Sequence, residues 1–169
     1  MEWFYITPMA GLASIALAAY LYRYVSDQDS GTEKMREIAN AIKDGSTAYL
    51  KRQNITLAAF VLVMATILGI FFGTTKSLFH GASITTAYLF GSVCTTVAAY
   101  VGMMAAVKAN VRTANAAKTS LKKAFPVAFY GGAIMGLSIV GLALLGISLL
   151  FYIYRIILGW SEIEASNIV

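Results

Sequence analysis

Four long stretches of the sequence are apolar and free of charge in their interiors: residues 3–25, with Arg23 only near the far end, 55–73, 84–107 and 125–154. About twenty apolar residues are what a helix needs to cross the hydrocarbon core, so each stretch predicts a membrane span. Two polar segments, 26–54 and 108–124, separate span one from span two and span three from span four. In the first, Ser30 to Glu33 fits an S-x-x-E capping box, and Met35, Ile38, Ile42, Gly45 and Tyr49 recur at three and four. That spacing predicts a helix starting near Gly31 or Thr32 and running directly into span two. Residues 74–83, with Lys76 and His80, read as a short connection, and span three should stay helical through the Ala-rich stretch that follows it. The fold class is therefore all-α, one membrane domain over residues 1–169, with helical extensions before span two and after span three.

Small residues mark the faces expected to pack. Gly91, Thr95, Ala98, Gly102, Ala105 and Ala109 form a stripe on span three, and Ala128, Gly132 and Gly136 stand four apart on span four. Such stripes let helix backbones approach in lipid, where burial of apolar surface offers little drive. Trp3, Tyr5, Tyr20, Tyr22 and Tyr24 gather at the ends of span one, and Tyr152, Tyr154 and Trp160 at the exit of span four, as amphipathic rings at an interface do. Pro8 falls in the first turns of span one, where a missing amide costs least.

Composition agrees with this pattern: 59% of residues are hydrophobic and 12% charged, with a mean hydropathy of +0.70, more apolar than a water-exposed surface tolerates. The net charge of +5 could suggest nucleic acid, but the cations flank apolar runs, which excludes a separate basic domain and favours membrane orientation. Six Lys or Arg lie between Arg23 and Arg52 and five between Lys108 and Lys123, against one at Lys76 and one at Arg155. The positive-inside rule then places both basic segments in the cytoplasm and both termini outside; the membrane itself is expected to be the cell membrane of a prokaryote. Span one is too long for a signal-peptide core and lacks a basic region before it, so it is expected to be retained.

Candidate chemistry is sparse. Cys94 sits alone in an apolar run and reads as a packing residue. His80 has no second His, Cys or carboxylate at ligand spacing, and reads as solvated or interfacial rather than a metal ligand. Gly73 to Ser77 lacks the Gly-Lys adjacency of a phosphate loop, and Asn54-Ile-Thr56 matches a glycosylation sequon on the cytoplasmic edge, a coincidence. Asp27, Asp29, Glu33, Glu37 and Asp44 alternate with Lys and Arg at helical spacing and read as a solvated face. Lys108 and Arg112 could attract an anion, with anchoring at the membrane surface as the stronger reading. No span carries Asp, Glu, Lys, Arg or His in its interior, which argues against ion conduction by these helices alone and against a proton-coupled exporter. No catalytic, cofactor-binding or metal residue is assigned.

A resemblance is carried by two ordered motifs. Gly102, Met103, Ala106, Ala109, Asn110, Arg112 and Thr113, followed by Ala128, Phe129, Gly131, Gly132, Met135, Gly136 and Leu137, resemble a signature region of the membrane-bound, ion-translocating inorganic pyrophosphatases. Upstream, Gly31, Met35, Ile38, Ala39, Ile42, Gly45, Ala48, Tyr49 and Leu50 match a second family pattern. The resemblance implies a sixteen-span homodimer that hydrolyses magnesium pyrophosphate at the cytoplasmic face and pumps protons or sodium outward. It covers this whole chain but only the first quarter of such an enzyme. The family's aspartate-rich motifs, which hold Mg2+, and its arginine-glycine segment are absent from these residues, so the magnesium ligands are expected outside them; whether potassium matters is open. The expected role is scaffold helices, without the active site, for catalytic spans supplied elsewhere, with the lipid bilayer as the other partner and no nucleic acid. The alternative is a non-enzymatic four-helix membrane protein that self-associates through its Gly and Ala stripes.

Overall fold

The computed structural model describes residues 3–161, 165, 166 and 168, and every regular element in it is helical. Four helices carry the chain: α1 (Trp3–Asp27), α2 (Glu33–Thr75), α3 (Leu78–Ala117) and α4 (Leu121–Tyr152), the last passing into a π-helical turn, Ile153–Ile157. All four are long and apolar enough to cross a membrane. At 1.5 Å per residue the 43 residues of α2 extend about 65 Å, roughly twice the hydrocarbon thickness, so its polar N-terminal half stands outside the core as an unbroken continuation of the span.

The ends of the helices refine the reading from sequence. Thr32, not Ser30, caps α2: its hydroxyl accepts from the Met35 N–H. Ser30 cannot serve because Gly31 next to it lies at φ +80°, a left-handed turn that ends any helix there. The connection between α2 and α3 is only Lys76 and Ser77, shorter than the polar residues of 74–83 suggest. Ser77 caps α3 through the His80 N–H, and α3 starts at once because Gly81 lets it lie on α2. A Cβ on Gly81 would sit 2.6 Å from the Gly73 nitrogen and 2.7 Å from the Gly69 oxygen. The helical extension of span three stops at Ala117, and Ser120 caps α4 by accepting from the Lys123 N–H.

The helices form an open row in the order α1, α4, α3, α2, with a lesser contact between α1 and α3. Where α1, α3 and α4 meet, Val25, Ala105, Ala109, Val127 and Ile134 are buried together, flanked by Leu21 and Tyr130. Two contacts bring backbones close: Gly131 against Ala109, and Gly11 against Gly141, whose oxygen would lie 3.2 Å from a Cβ on Gly11. At the other end the turn after α4 folds over the start of α3. There the Tyr154 hydroxyl donates to the Ser83 carbonyl at 2.8 Å, and Trp160 stacks on His80 with centroids 4.8 Å apart.

The expected stripes are half realised. Ala98, Gly102, Ala105 and Ala109 are buried, whereas Gly91 and Thr95 line an open apolar groove of about 530 Å³ between α2, α3 and α4. On α4 the buried face is Val127, Gly131, Ile134 and Ser138, so Ala128, Gly132 and Gly136 point outward. A Cβ at Gly132 or Gly136 would meet nothing within 4 Å.

Candidate functional site at the basic end of the helices

The C-terminal extension of α3 presents Lys108, Arg112 and Asn115 at spacings of four and three, hence on one face, toward the end of α1 and the turn into α2. Arg112 donates from Nη2 to the Ser26 carbonyl at 3.1 Å and from Nη1 to its own helix at Lys108 O, 3.0 Å. A guanidinium on a carbonyl in the last turn of α1 satisfies a backbone acceptor that the helix cannot and complements its dipole. Lys108 donates to the Tyr22 hydroxyl at 3.2 Å, with Nζ 4.6 Å from the ring centroid. Asn115 donates to Asp29 Oδ2 at 3.0 Å and Asp29 O at 3.3 Å, while Asp29 Oδ1 accepts from the Gly31 N–H at 2.9 Å. The Gly31 N–H, Asn115 and the positive charges of Arg36 and Lys118 hold the Asp29 carboxyl below its ordinary value of 3.8, against a smaller opposing effect of desolvation.

Asp27, Asp29, Glu33, Glu37 and Asp44 are all exposed, as a solvated face requires, and Glu37 pairs with Lys34 at 2.8 Å. Asp29 alone among the five has a tertiary role, which its position in a charge run concealed. His80 is not in a loop: it stands in the first turn of α3 with Nδ1 3.1 Å from the Ser77 hydroxyl. Cys94 is half-buried in the wall of the apolar groove.

In front of this joint lies a second groove, about 410 Å³, between the end of α1, the α2 extension and α3. Arg36, Lys43, Lys108 and Arg112 line it together with Tyr22, Asn40, Tyr100 and Met104, and no carboxylate does. Sequence alone offered Lys108 and Arg112 here; Arg36 and Lys43 join them because α2 runs back along α3. Among the described residues no three of His, Cys, Asp and Glu come together as a metal would need. A magnesium ion takes oxygen ligands, so a groove walled by cations does not fit it.

Residues 12–168 match the family model described as inorganic H+ pyrophosphatase. The chain belongs to that family. It is 44% identical over 150 residues to a K(+)-insensitive pyrophosphate-energized proton pump of Methanosarcina mazei, covering 89% of this chain and 22% of that protein. It is 39% identical over 154 residues to a second such proton pump in Moorella thermoacetica, covering 91% and 22%. A putative K(+)-stimulated pyrophosphate-energized sodium pump of Clostridium tetani is 42% identical over 155 residues, again 91% and 22%. The chain thus spans about a fifth of the length of these curated relatives. Four of the motif residues make contacts that shape this pyrophosphatase-family chain: Gly31 makes the turn, Arg112 caps α1, Gly131 meets Ala109 and Gly102 meets Met135.

Proposed function

We propose that these four helices are the scaffold at the N-terminal side of a pyrophosphate-energised proton or sodium pump, whose catalytic spans come from further polypeptide. The observation that carries this reading is the open row: Ala128, Gly132 and Gly136 stay exposed among the described residues, Ala128 and Gly132 lining an open groove beside the α3 extension, and a Cβ at Gly132 or Gly136 would meet nothing within 4 Å. Glycine on an exposed helix face in lipid is of most use where another helix is to touch it. Membership of the family and coverage of about a fifth of its curated members support the same reading. Magnesium and pyrophosphate would be held by carboxylates outside these residues, and the complete pump would be a homodimer with both basic segments facing the cytoplasm.

The test is hydrolysis and assembly. The 169-residue polypeptide purified alone is expected to show no magnesium-dependent release of phosphate from pyrophosphate; turnover above buffer would overturn the scaffold role. Co-expressed with the remaining spans of a relative, it should co-purify with them, and Gly132→Leu with Gly136→Leu should abolish that. The same outward stripe would also serve the alternative, self-association without enzymatic partners, which predicts instead that the leucine pair breaks a homo-oligomer of this chain.

A further inference from the structure

Four cations and apolar side chains line the groove between α1, α2 and α3. Arg36, Lys43, Lys108 and Arg112 share it with Tyr100 and Met104, which precede Lys108 and Arg112 along α3 toward its apolar part. From Arg112 to Tyr100 is twelve residues, about 18 Å along the helix axis, enough to pass from headgroup level into the acyl region. Tyr22, whose hydroxyl and ring both engage Lys108, marks the interface between the two.

The charge in the groove is uncompensated from within. No carboxylate lines it, and Asp29 at the neighbouring turn already accepts from Gly31 and Asn115 while feeling Arg36 and Lys118 only through space. The side chains of Arg36 and Lys43 are exposed and make no hydrogen bond among the described residues, and Arg112 keeps a buried Nε–H without a partner. The groove also has a side entrance, because α1 and α2 do not pack along each other.

We propose that this groove binds one anionic phospholipid, its phosphate held by Arg36, Lys43 and Arg112 and an acyl chain lying along Tyr100 and Met104. A free phosphate would match the cations but leave the apolar floor unused; a zwitterionic lipid would match the floor but bring a compensating cation. An anionic lipid satisfies both.

Native mass spectrometry of the purified polypeptide in detergent tests this with phosphatidylglycerol and phosphatidylcholine of identical chains. One phosphatidylglycerol per polypeptide should be retained in preference to phosphatidylcholine. Arg36→Gln with Lys43→Gln should weaken retention by about thirtyfold, the effect of two interfacial cations, while Arg36→Lys with Lys43→Arg keeps it. Both side chains are exposed and bonded to nothing else described, and circular dichroism should show the helices unchanged. Lys122→Gln with Lys123→Gln removes the same charge outside the groove and should leave retention intact. Equal retention of the two lipids, an equal loss from the Lys122 and Lys123 pair, or displacement of the lipid by equimolar inorganic phosphate or pyrophosphate would each overturn the proposal.

Discussion

Gly31 and Asp29 fix the turn by which α1 hands the chain to α2, and each does so through a different physical constraint. Gly31 lies at φ +80°, and a Cβ there would sit 2.8 Å from Asn115 Oδ1 and 2.7 Å from Met35 Sδ. Gly31→Ala is therefore expected to cost about 1–2 kcal/mol for the left-handed backbone alone, read as a lowered midpoint of thermal unfolding in detergent. Asp29 works through its charge. Its folded carboxyl titrates below 3.8, so its contribution is present above that pH and fades as pH falls through the folded value. Asp29→Ala should lower the unfolding midpoint at pH 7, and the gap from the parent should close in strongly acidic buffer; an equal gap at both extremes would count against this linkage. The side chain is fully exposed to solvent, so salt should narrow the gap as well.

At the scale of the element, glycines of similar appearance in the sequence have opposite consequences. Gly81 faces the backbone of α2 at Gly69 and Gly73, which no rotamer change can relieve. Gly81→Ala should force α2 and α3 apart and cost on the order of 1–3 kcal/mol. Gly132→Ala and Gly136→Ala add a methyl to open space and replace a poor helix former, so they should be neutral or stabilise by up to about 1 kcal/mol each. Thermal unfolding of the three variants side by side checks the contrast, and equal effects at Gly81 and Gly132 would contradict the helix order described. The expected stripe on α4 was displaced by one residue for a related reason. Gly131 and Gly132 are adjacent, a four-residue repeat can be drawn through the second, and only contact with Ala109 shows that the first is buried.

For the whole molecule, the open row leaves α1 and α2 as edges, with large apolar side chains such as Tyr20, Leu62 and Ile70 exposed along them. In a bilayer these face lipid or further helices, and the distribution of Lys and Arg predicts which end faces the cytoplasm. A cysteine replacing Ser120, with Cys94 changed to Ser, should resist an impermeant thiol reagent added from outside intact cells and react once the cells are opened. Labelling from the outside would reverse the proposed topology.

Sequence by itself determined that four helices span a membrane, that α2 and α3 extend beyond it, and which family the motifs resemble. These follow from the distribution of charge and from local spacing, because a buried charge or an unsatisfied amide in lipid is costly wherever the helices end up. Tertiary structure decided the rest. Gly11 and Gly141 stand far apart in sequence and gave no signal, yet they meet because α1 lies on α4. Arg36 and Lys43 belonged to a charge run until the antiparallel return of α3 placed them beside Lys108 and Arg112. Which face of a helix is covered depends on its neighbours, and where those neighbours lie is set by the few contacts at which two backbones come close enough to exclude a Cβ.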